Sequence, residues 1–280
     1  MTVTAGRFTR IYDPSPSASE RWYINDHTII QDAVGLWHMI GITHAEPANP
    51  FDEKFFAHAT APDPSGPWTR QAPVLPYAAG QGEAHVWAPH AIRHEERYYV
   101  YYCGGGQTAR SYRIQLAISD DLFHFTRHPA NPMMIDGYEA RDPMVFHSDG
   151  LWRMVYTANE TPAGGHHTVA MVESSDLVRW SNKREVFRSS VQGTGGGPTE
   201  SPFVVARNGK FYLFVCTNTP YLDTAVYVAD TPFHWREEDR VGQIRAHAAE
   251  IVHAPDGRWL ITSCGWGTGG LYLSELNWGD

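Results

Sequence analysis

The chain has 280 residues, of which 42% are hydrophobic and 19% charged, the make-up of an ordinary globular protein with room for one large domain or a repeat fold. Its net charge of -9 argues against nucleic acid or an anionic membrane surface as the main partner. No apolar run approaches the roughly 18 residues that a membrane helix needs, and residues 1–7 hold no hydrophobic core of a secretory signal, so a reducing, cytoplasmic location is the expectation. A mature chain whose signal had been removed would read the same way.

Taken in order, the chain repeats one plan five times. An apolar run, a tight-turn signal and a second run led by an aromatic residue read as a β-hairpin. The first copy is Asp26 to Ile30, a turn at Asp32 to Gly35, and Leu36 to Ile40; the second is Val86 to Ile92 followed by Arg97 to Tyr102. The third is Tyr138 to Phe146, the turn Ser148-Asp149-Gly150, and Leu151 to Thr157. The fourth is Glu200 to Val205, Asn208-Gly209 and Lys210 to Val215; the fifth is His247 to Val252, Asp256-Gly257 and Arg258 to Thr262. The leading aromatics are Trp37, Tyr98, Trp152, Phe211 and Trp259, at intervals of 48–61 residues. Further short strands follow the hairpins, as at 116–125 and 169–180, and helical periodicity is absent throughout. This period and strand content predict an all-β fold, a five-bladed β-propeller with four antiparallel strands per blade, spanning 1–280 as a single domain. A β-sandwich or irregular barrel is the bland rival, but such folds rarely repeat one hairpin five times. The run Gly193 to Gly197 reads as an inter-blade loop, since no helix follows it to make a phosphate cradle.

In a propeller the first strand of each blade lines the central channel, so the residues at its start converge. Those starts are Asp26, His85-Val86-Trp87, Arg141-Asp142, Glu200 and His247. Three carboxylates from three blades would then share one pocket. Like charges held close cannot all ionise freely, and one protonated beside one ionised carboxyl is what acid-assisted cleavage of a glycosidic bond needs. Each residue alone could be a solvated or structural carboxylate; the shared register makes a joint accident far less plausible.

Three motifs now carry a family resemblance. Trp22-Tyr23-Ile24-Asn25-Asp26 resembles the Trp-x-Asn-Asp-Pro motif of the fructan-cleaving glycoside hydrolase family 32, with His27 and Thr28 where that family has Pro and Asn. Arg141-Asp142-Pro143 repeats its Arg-Asp-Pro motif in full, and Glu200-Ser201-Pro202 is similar to its Glu-Cys-Pro. Trp87-Ala88-Pro89 and His247 look more like family 43, the arabinanases and xylosidases. Both families share a five-bladed propeller. The chain ends at Asp280, without the C-terminal sandwich family 32 normally carries. The resemblance implies Asp26 as nucleophile of a retaining mechanism or base of an inverting one, and Glu200 as general acid. It also implies that Asp142 binds sugar hydroxyls and raises the pKa of Glu200, with Arg141 as a charged donor beside it. Asn25, Trp22, His85, Trp87, Arg141 and His247 complete the candidate substrate-binding set, the two tryptophans by stacking on a sugar face.

The expected ligand is thus a small carbohydrate, a β-fructoside first and an arabinoside or xyloside second; the oligomeric state is open. Two other readings stand beside it: a carbohydrate-binding propeller that has lost catalysis, and a propeller recruited to a non-sugar metabolite. No cofactor is expected. The 15 histidines include the pair His166-His167, but no metal-binding His-x-x-x-His helix occurs, so no catalytic metal is expected. In family 43 relatives a His at the position of His247 can sit near an axial calcium or sodium ion. His90 reads equally as a substrate contact or a strand cap. Cys103, Cys216 and Cys264 fall at one equivalent place after the blade aromatic and read as small, buried, inert residues.

Overall fold

The computed structural model describes residues 2–137, 139–194, 196–218 and 221–279. Tyr138 of the third hairpin and Gly195 of the glycine run lie outside the described residues. Strands dominate, joined by loops and four single-turn 3₁₀ segments among the described residues. No helix among the described residues is long and apolar enough to cross a membrane.

Two short strands open the chain, β1 (Thr2–Ala5) and β2 (Thr9–Tyr12). Three antiparallel four-stranded sheets follow in strict chain order. The first holds β3 (Trp22–Gln31), β4 (Trp37–Ala45), β5 (Phe56–Ala61) and β6 (Thr69–Arg70). The second holds β7 (His85–His94), β8 (Arg97–Gly105), β9 (Tyr112–Ser119) and β10 (Thr126–Arg127); the third holds β11 (Arg141–Ser148), β12 (Leu151–Thr161), β13 (Gly164–Ser174) and β14 (Ser181–Gln192). The rest of the chain forms β15 (Phe203–Arg207), β16 (Lys210–Cys216), β17 (Thr224–Ala229), β18 (Arg240–Ile244), β19 (Ile251–His253), β20 (Trp259–Ser263) and β21 (Leu271–Gly279). These join one nine-stranded sheet in the order β15-β16-β17-β18-β1-β21-β20-β19, with β2 also on β21.

The sequence led us to expect four-stranded sheets throughout, and the nine-stranded sheet departs from that for a definable reason. β1 lies antiparallel to β21 over four residue pairs and parallel to β18 through Val3 and Gly242. It therefore welds what would otherwise be two separate sheets. Gly242 makes the weld sterically possible, because a Cβ there would stand 2.6 Å from the Val3 carbonyl oxygen.

Local chemistry explains the hairpins. Asp149 and Gly150 both have positive φ (48° and 75°), as do Asn208 and Gly209 (50° and 72°). This is the two-residue turn whose twist suits paired strands, and Asn-Gly and Asp-Gly are the residues that tolerate it. The alternating side chains of each strand then feed two different cores. Tyr101 packs toward the third sheet with Met154 and Tyr156, while its neighbour Tyr102 packs toward the first with Ile40 and Phe56. A further core unites the third sheet with β16 and β17, and another sets Cys264 and Leu271 of the last strands against Ile24 and Met39 of the first sheet. The sheets thus stack face to face in chain order, and the last packs on the first.

The innermost strands share one irregularity. Pairing slips between Ile24 and His27, between Trp87 and His90, and between Arg141 and Met144. Ala88, Asp142, Ser201 and Ala248 all take left-handed backbone, with φ between 45° and 55°. Pro follows the first three of them in sequence. An extra residue at such a bulge bends the strand and re-aims its side chains, so neighbouring residues at the bulge can point to the same end of the stack.

If β1 is the weld, its buried face should be indispensable. Val3 is 0% exposed. Val3→Asp, which buries an unpaired charge, is expected to lower unfolding stability by about 3 kcal/mol or more in equilibrium urea denaturation.

Candidate active site

The bulges surround a cavity of about 1000 Å³. Among its lining residues are Asn25, Asp26, Arg141, Asp142, Glu200 and His247. They come from β3, from the start of β11, and from the loops before β15 and β19, positions separated by up to 222 residues in the chain.

Hydrogen bonds lock the three acidic residues together. Arg141 Nη1 donates to Asp142 Oδ2 at 2.7 Å and to Glu200 Oε1 at 2.6 Å, while Nη2 donates to the Gly196 carbonyl at 3.0 Å. Its Nε lies 3.5 Å from a fourth carboxylate, Glu139. Ser201 makes the second link: its hydroxyl donates to Asp26 Oδ1 at 2.5 Å and its backbone amide to Asp142 Oδ2 at 3.1 Å. Thr157 adds a hydroxyl to Asp142 Oδ2 at 3.3 Å. His247 Nε2 donates to Asn25 Oδ1 at 2.9 Å, which fixes both side chains at the cavity wall.

Burial sets the electrostatics. It raises the Glu200 carboxyl well above the usual range against the opposing pull of Arg141, and the nearby Asp142 and Asp26 charges push the same way. Asp142 is lifted to about 6, again by burial first, with Arg141 opposing and Asp26 adding to the rise. The second oxygen of Glu200, Oε2, is buried and has no hydrogen-bond partner among the described residues. A carboxyl group whose pKa is raised and which leaves one oxygen free of the neighbouring described residues is suited to donate a proton to a ligand. His247 is driven the other way: burial lowers its pKa, opposed by Asp26. Its Nδ1 lacks a partner among the described residues.

Comparison with known proteins places the chain in a family. A family model described as the glycosyl hydrolases family 32 N-terminal domain matches residues 18–231. The chain belongs to that family. The matched span takes in Asp26, Asp142 and Glu200, and leaves out His247. The family 32 chain is 27% identical over 147 residues to a sucrose-6-phosphate hydrolase of Bacillus subtilis, an alignment that covers 51% of this chain and 29% of the relative. It is 26% identical over 177 residues to a protein named "Probable arabinan endo-1,5-alpha-L-arabinosidase C" of Aspergillus clavatus, covering 58% of this chain and 54% of that one. It thus spans well under two thirds of either relative. Among solved structures, an endo-arabinase from Bacteroides thetaiotaomicron superposes with a TM-score of 0.74 at 15% identity, over 96% of this chain and 99% of that one. A family 43 β-xylosidase/α-arabinofuranosidase from a compost microbial metagenome gives 0.73 at 16% identity, over 98% and 94%. At such identities the likeness speaks for the fold.

Two residues expected at the ligand do not line the cavity. His85 is 0% exposed and lies beneath Trp87, ring on ring at 3.5 Å, so only the tryptophan faces the cavity. Trp22 packs beside His44 and Phe55 and donates its indole N–H to Glu20, away from the cavity wall. His90, for which two readings were open, points into the interior instead: its Nε2 is 3.2 Å from the Val145 carbonyl and its Nδ1 3.9 Å from Glu250. All three cysteines are buried and free, and burial raises their thiol pKa values, that of Cys216 to about 12. The reading of inert thiols fits these surroundings. Among the described residues, no group of three or more His, Cys, Asp or Glu side chains is arranged to hold a metal ion.

Other wall residues escaped the sequence reading. Glu53, Glu139, Tyr221 and Trp266 all line the cavity, and Ser201 ties Asp26 to Asp142 through its side chain and amide. Ser201 stood in plain view inside Glu200-Ser201-Pro202. Glu139 adjoined a motif as well. Glu53 and Trp266 lie in connections outside the repeated hairpins, where no pattern marked them.

A raised Glu200 pKa has a consequence for stability. The folded protein binds this proton more tightly than the unfolded chain does, so stability from this group is greatest at low pH and falls as pH climbs through the ordinary glutamate range. Glu200→Gln, which cannot ionise, is therefore expected to raise the melting temperature by a few degrees at pH 7–8. Thermal melts of the two proteins across pH should show the gain shrinking toward pH 4.

Proposed function

We propose that this chain is a glycoside hydrolase acting on a furanoside or pentose-type glycoside, with β-fructosides first and arabinosides or xylosides second. The observation that carries this reading is the doubly linked carboxylate set: Arg141 joins Asp142 to Glu200, and Ser201 joins Asp142 to Asp26, within one cavity. Membership of family 32 and the names of the relatives, a sucrose-6-phosphate hydrolase and an arabinan endo-1,5-alpha-L-arabinosidase, support the substrate class. We read the stacked sheets as the five blades of one propeller domain, with β1 and β2 fastening the last blade. The recurrence of a bulge or left-handed residue at five equivalent strand starts supports that reading.

In this mechanism Glu200 gives its proton to the glycosidic oxygen as the bond to the leaving group lengthens. Asp26 attacks the anomeric carbon directly or takes a proton from the attacking water. Asp142, oriented by Arg141, Thr157 and the Ser201 amide, accepts hydrogen bonds from ring hydroxyls and steadies the oxocarbenium-like transition state. Trp87 offers an apolar face for the ring. An axial calcium or sodium ion beside His247 belongs to no step, and elemental analysis of the purified protein measures whether one accompanies the fold.

Asp26→Asn and Glu200→Gln are each expected to cut turnover about 10³-fold without loss of far-UV circular dichroism. The assay is hydrolysis of a panel of aryl furanosides and sucrose-type oligosaccharides, with NMR of the first-formed anomer to show retention or inversion. Near-parental rates in either variant would remove that residue from its role. Binding of sugars with no hydrolysis by the parent would favour a carbohydrate-binding propeller. Activity on another metabolite that depends on the same carboxylates would favour the recruited one.

A further inference from the structure

Glu53 is a cavity carboxyl group to which the acid–base chemistry above gives no task. It directly follows the 3₁₀ turn Pro50–Asp52 between β4 and β5. Its backbone is fixed on both sides: the amide donates to the Pro50 carbonyl at 3.4 Å, and the carbonyl accepts from Val86 at 3.1 Å. The side chain is 1% exposed at residue level yet belongs to the cavity wall. Tyr23 donates its hydroxyl at 2.6 Å and Trp266 its indole N–H at 3.1 Å, and both bonds end on Oε1.

Among the described residues, the groups that act most strongly on it supply no positive charge. Tyr23 and Asp26 come from β3, Trp87 from β7 and Trp266 from the loop between β20 and β21. The adjacent Lys54 turns its ammonium group toward the Ala84 carbonyl and the Tyr77 ring instead. Burial is the leading cause that raises Glu53 to about 8, partly offset by the donors from Tyr23 and Trp266 and, less, from Trp87, and reinforced by Asp26. With the hydrogen bonds from Tyr23 and Trp266 both on Oε1, and the nearby Trp87 indole N–H donated to the Pro50 carbonyl at 3.1 Å, the acidic proton belongs on Oε2.

We propose that Glu53 is a specificity-determining residue that donates a hydrogen bond from its carboxyl O–H to a ring hydroxyl of the bound sugar, held in that direction by Tyr23 and Trp266. This rests on the sugar-cleaving reading and adds to it a fourth carboxyl that discriminates substrates and takes no part in bond cleavage. A purely structural Glu53 would only clasp the Trp266 loop to the first sheet, and it would be blind to the hydroxyl pattern of the ligand and to its own ionisation.

Steady-state kinetics on the parent, Glu53→Gln and Glu53→Met separate the two. Deprotonation above about pH 8 should raise the parent's KM, whereas Glu53→Gln keeps a donor that cannot ionise and should hold its KM level there. Glu53→Met should raise KM about tenfold, the worth of one hydrogen bond to a buried polar partner, with kcat close to parental and a melting temperature lowered by a few degrees, since the buried Tyr23 hydroxyl loses its acceptor. A set of monodeoxy substrates should contain one on which parent and Glu53→Met become equal. Equal KM in parent and Glu53→Met, or a KM rise independent of every hydroxyl removed, would overturn the proposal. If the parent cleaves no glycoside, the sugar-cleaving reading falls separately, and calorimetric titration with free fructose, arabinose and xylose then decides. Tighter binding by the parent than by Glu53→Met upholds Glu53 as a reader of hydroxyls; equal binding, or none, refutes it.

Discussion

A single buried guanidinium organises this protein's cavity. Arg141 touches Asp142, Glu200 and Glu139, so one positive charge faces three carboxyl groups taken out of water. Removing charges from water costs several kcal/mol per ion in practice, and one cation cannot offset three anions. The protein meets this imbalance by letting protons stay on. Glu200 and Asp142 both titrate above their ordinary range although Arg141 pulls each of them down. The acid–base character of the pocket is thus a consequence of too many carboxyl groups sharing too little positive charge, and it needs no special donor beyond Arg141 and Ser201.

Placing those groups together is a backbone problem before it is an electrostatic one. A regular strand sends alternate side chains to opposite faces, so two neighbours such as Arg141 and Asp142 would be parted. The bulge between Arg141 and Met144, with Asp142 at φ 55°, lets both contribute to one network. Ser201, at φ 49°, does likewise for its own hydroxyl and amide. A left-handed non-glycine residue costs roughly 1–3 kcal/mol, and four of them, Ala88, Asp142, Ser201 and Ala248, lie near the starts of β7, β11, β15 and β19. The seam adds its own constraint: Gly265, at φ 135°, donates its amide to the Ile24 carbonyl at 2.9 Å and lies so near His247 that a Cβ would come within 2.9 Å of the ring. His247 can reach Asn25 because the last loop closes onto the first sheet without a side chain in the way.

How much of this was legible in the sequence follows from the range of the interactions involved. The hairpins were readable because a turn is a local decision: Asp149-Gly150 and Asn208-Gly209 carry their own backbone preference. The carboxylates were readable because Asp26, Asp142 and Glu200 each stand at the start of a repeated hairpin, a place that the repeat itself marks. What failed depended on contacts across the chain. Parity alone puts His85 and Trp87 on one face, and nothing local says that one ring would lie on the other and hide it. Trp22 sits near Asn25 in sequence, yet its partners His44 and Phe55 arrive from β4 and the loop before β5. The nine-stranded sheet was invisible for the same reason, since Val3 pairs with Trp278 and no periodicity in a four-residue strand announces a partner at the far end of the chain.

The same distinction bears on where specificity should reside. Residues fixed by the repeated hairpin are constrained by the fold as well as by chemistry: altering Asp142 disturbs a bulge, and altering Arg141 leaves three buried carboxyl groups without their cation. Residues on the connections carry no such double duty. Glu53 and Trp266 belong to two different inter-strand connections and meet through one hydrogen bond at the cavity wall. Either connection can change in length or composition while the stacked sheets and the Arg141 network stay as they are. Loops carried on a rigid scaffold are where change is tolerated, and on this cavity wall they supply Glu53, Glu200, His247 and Trp266, while strands supply Asn25, Asp26, Arg141 and Asp142.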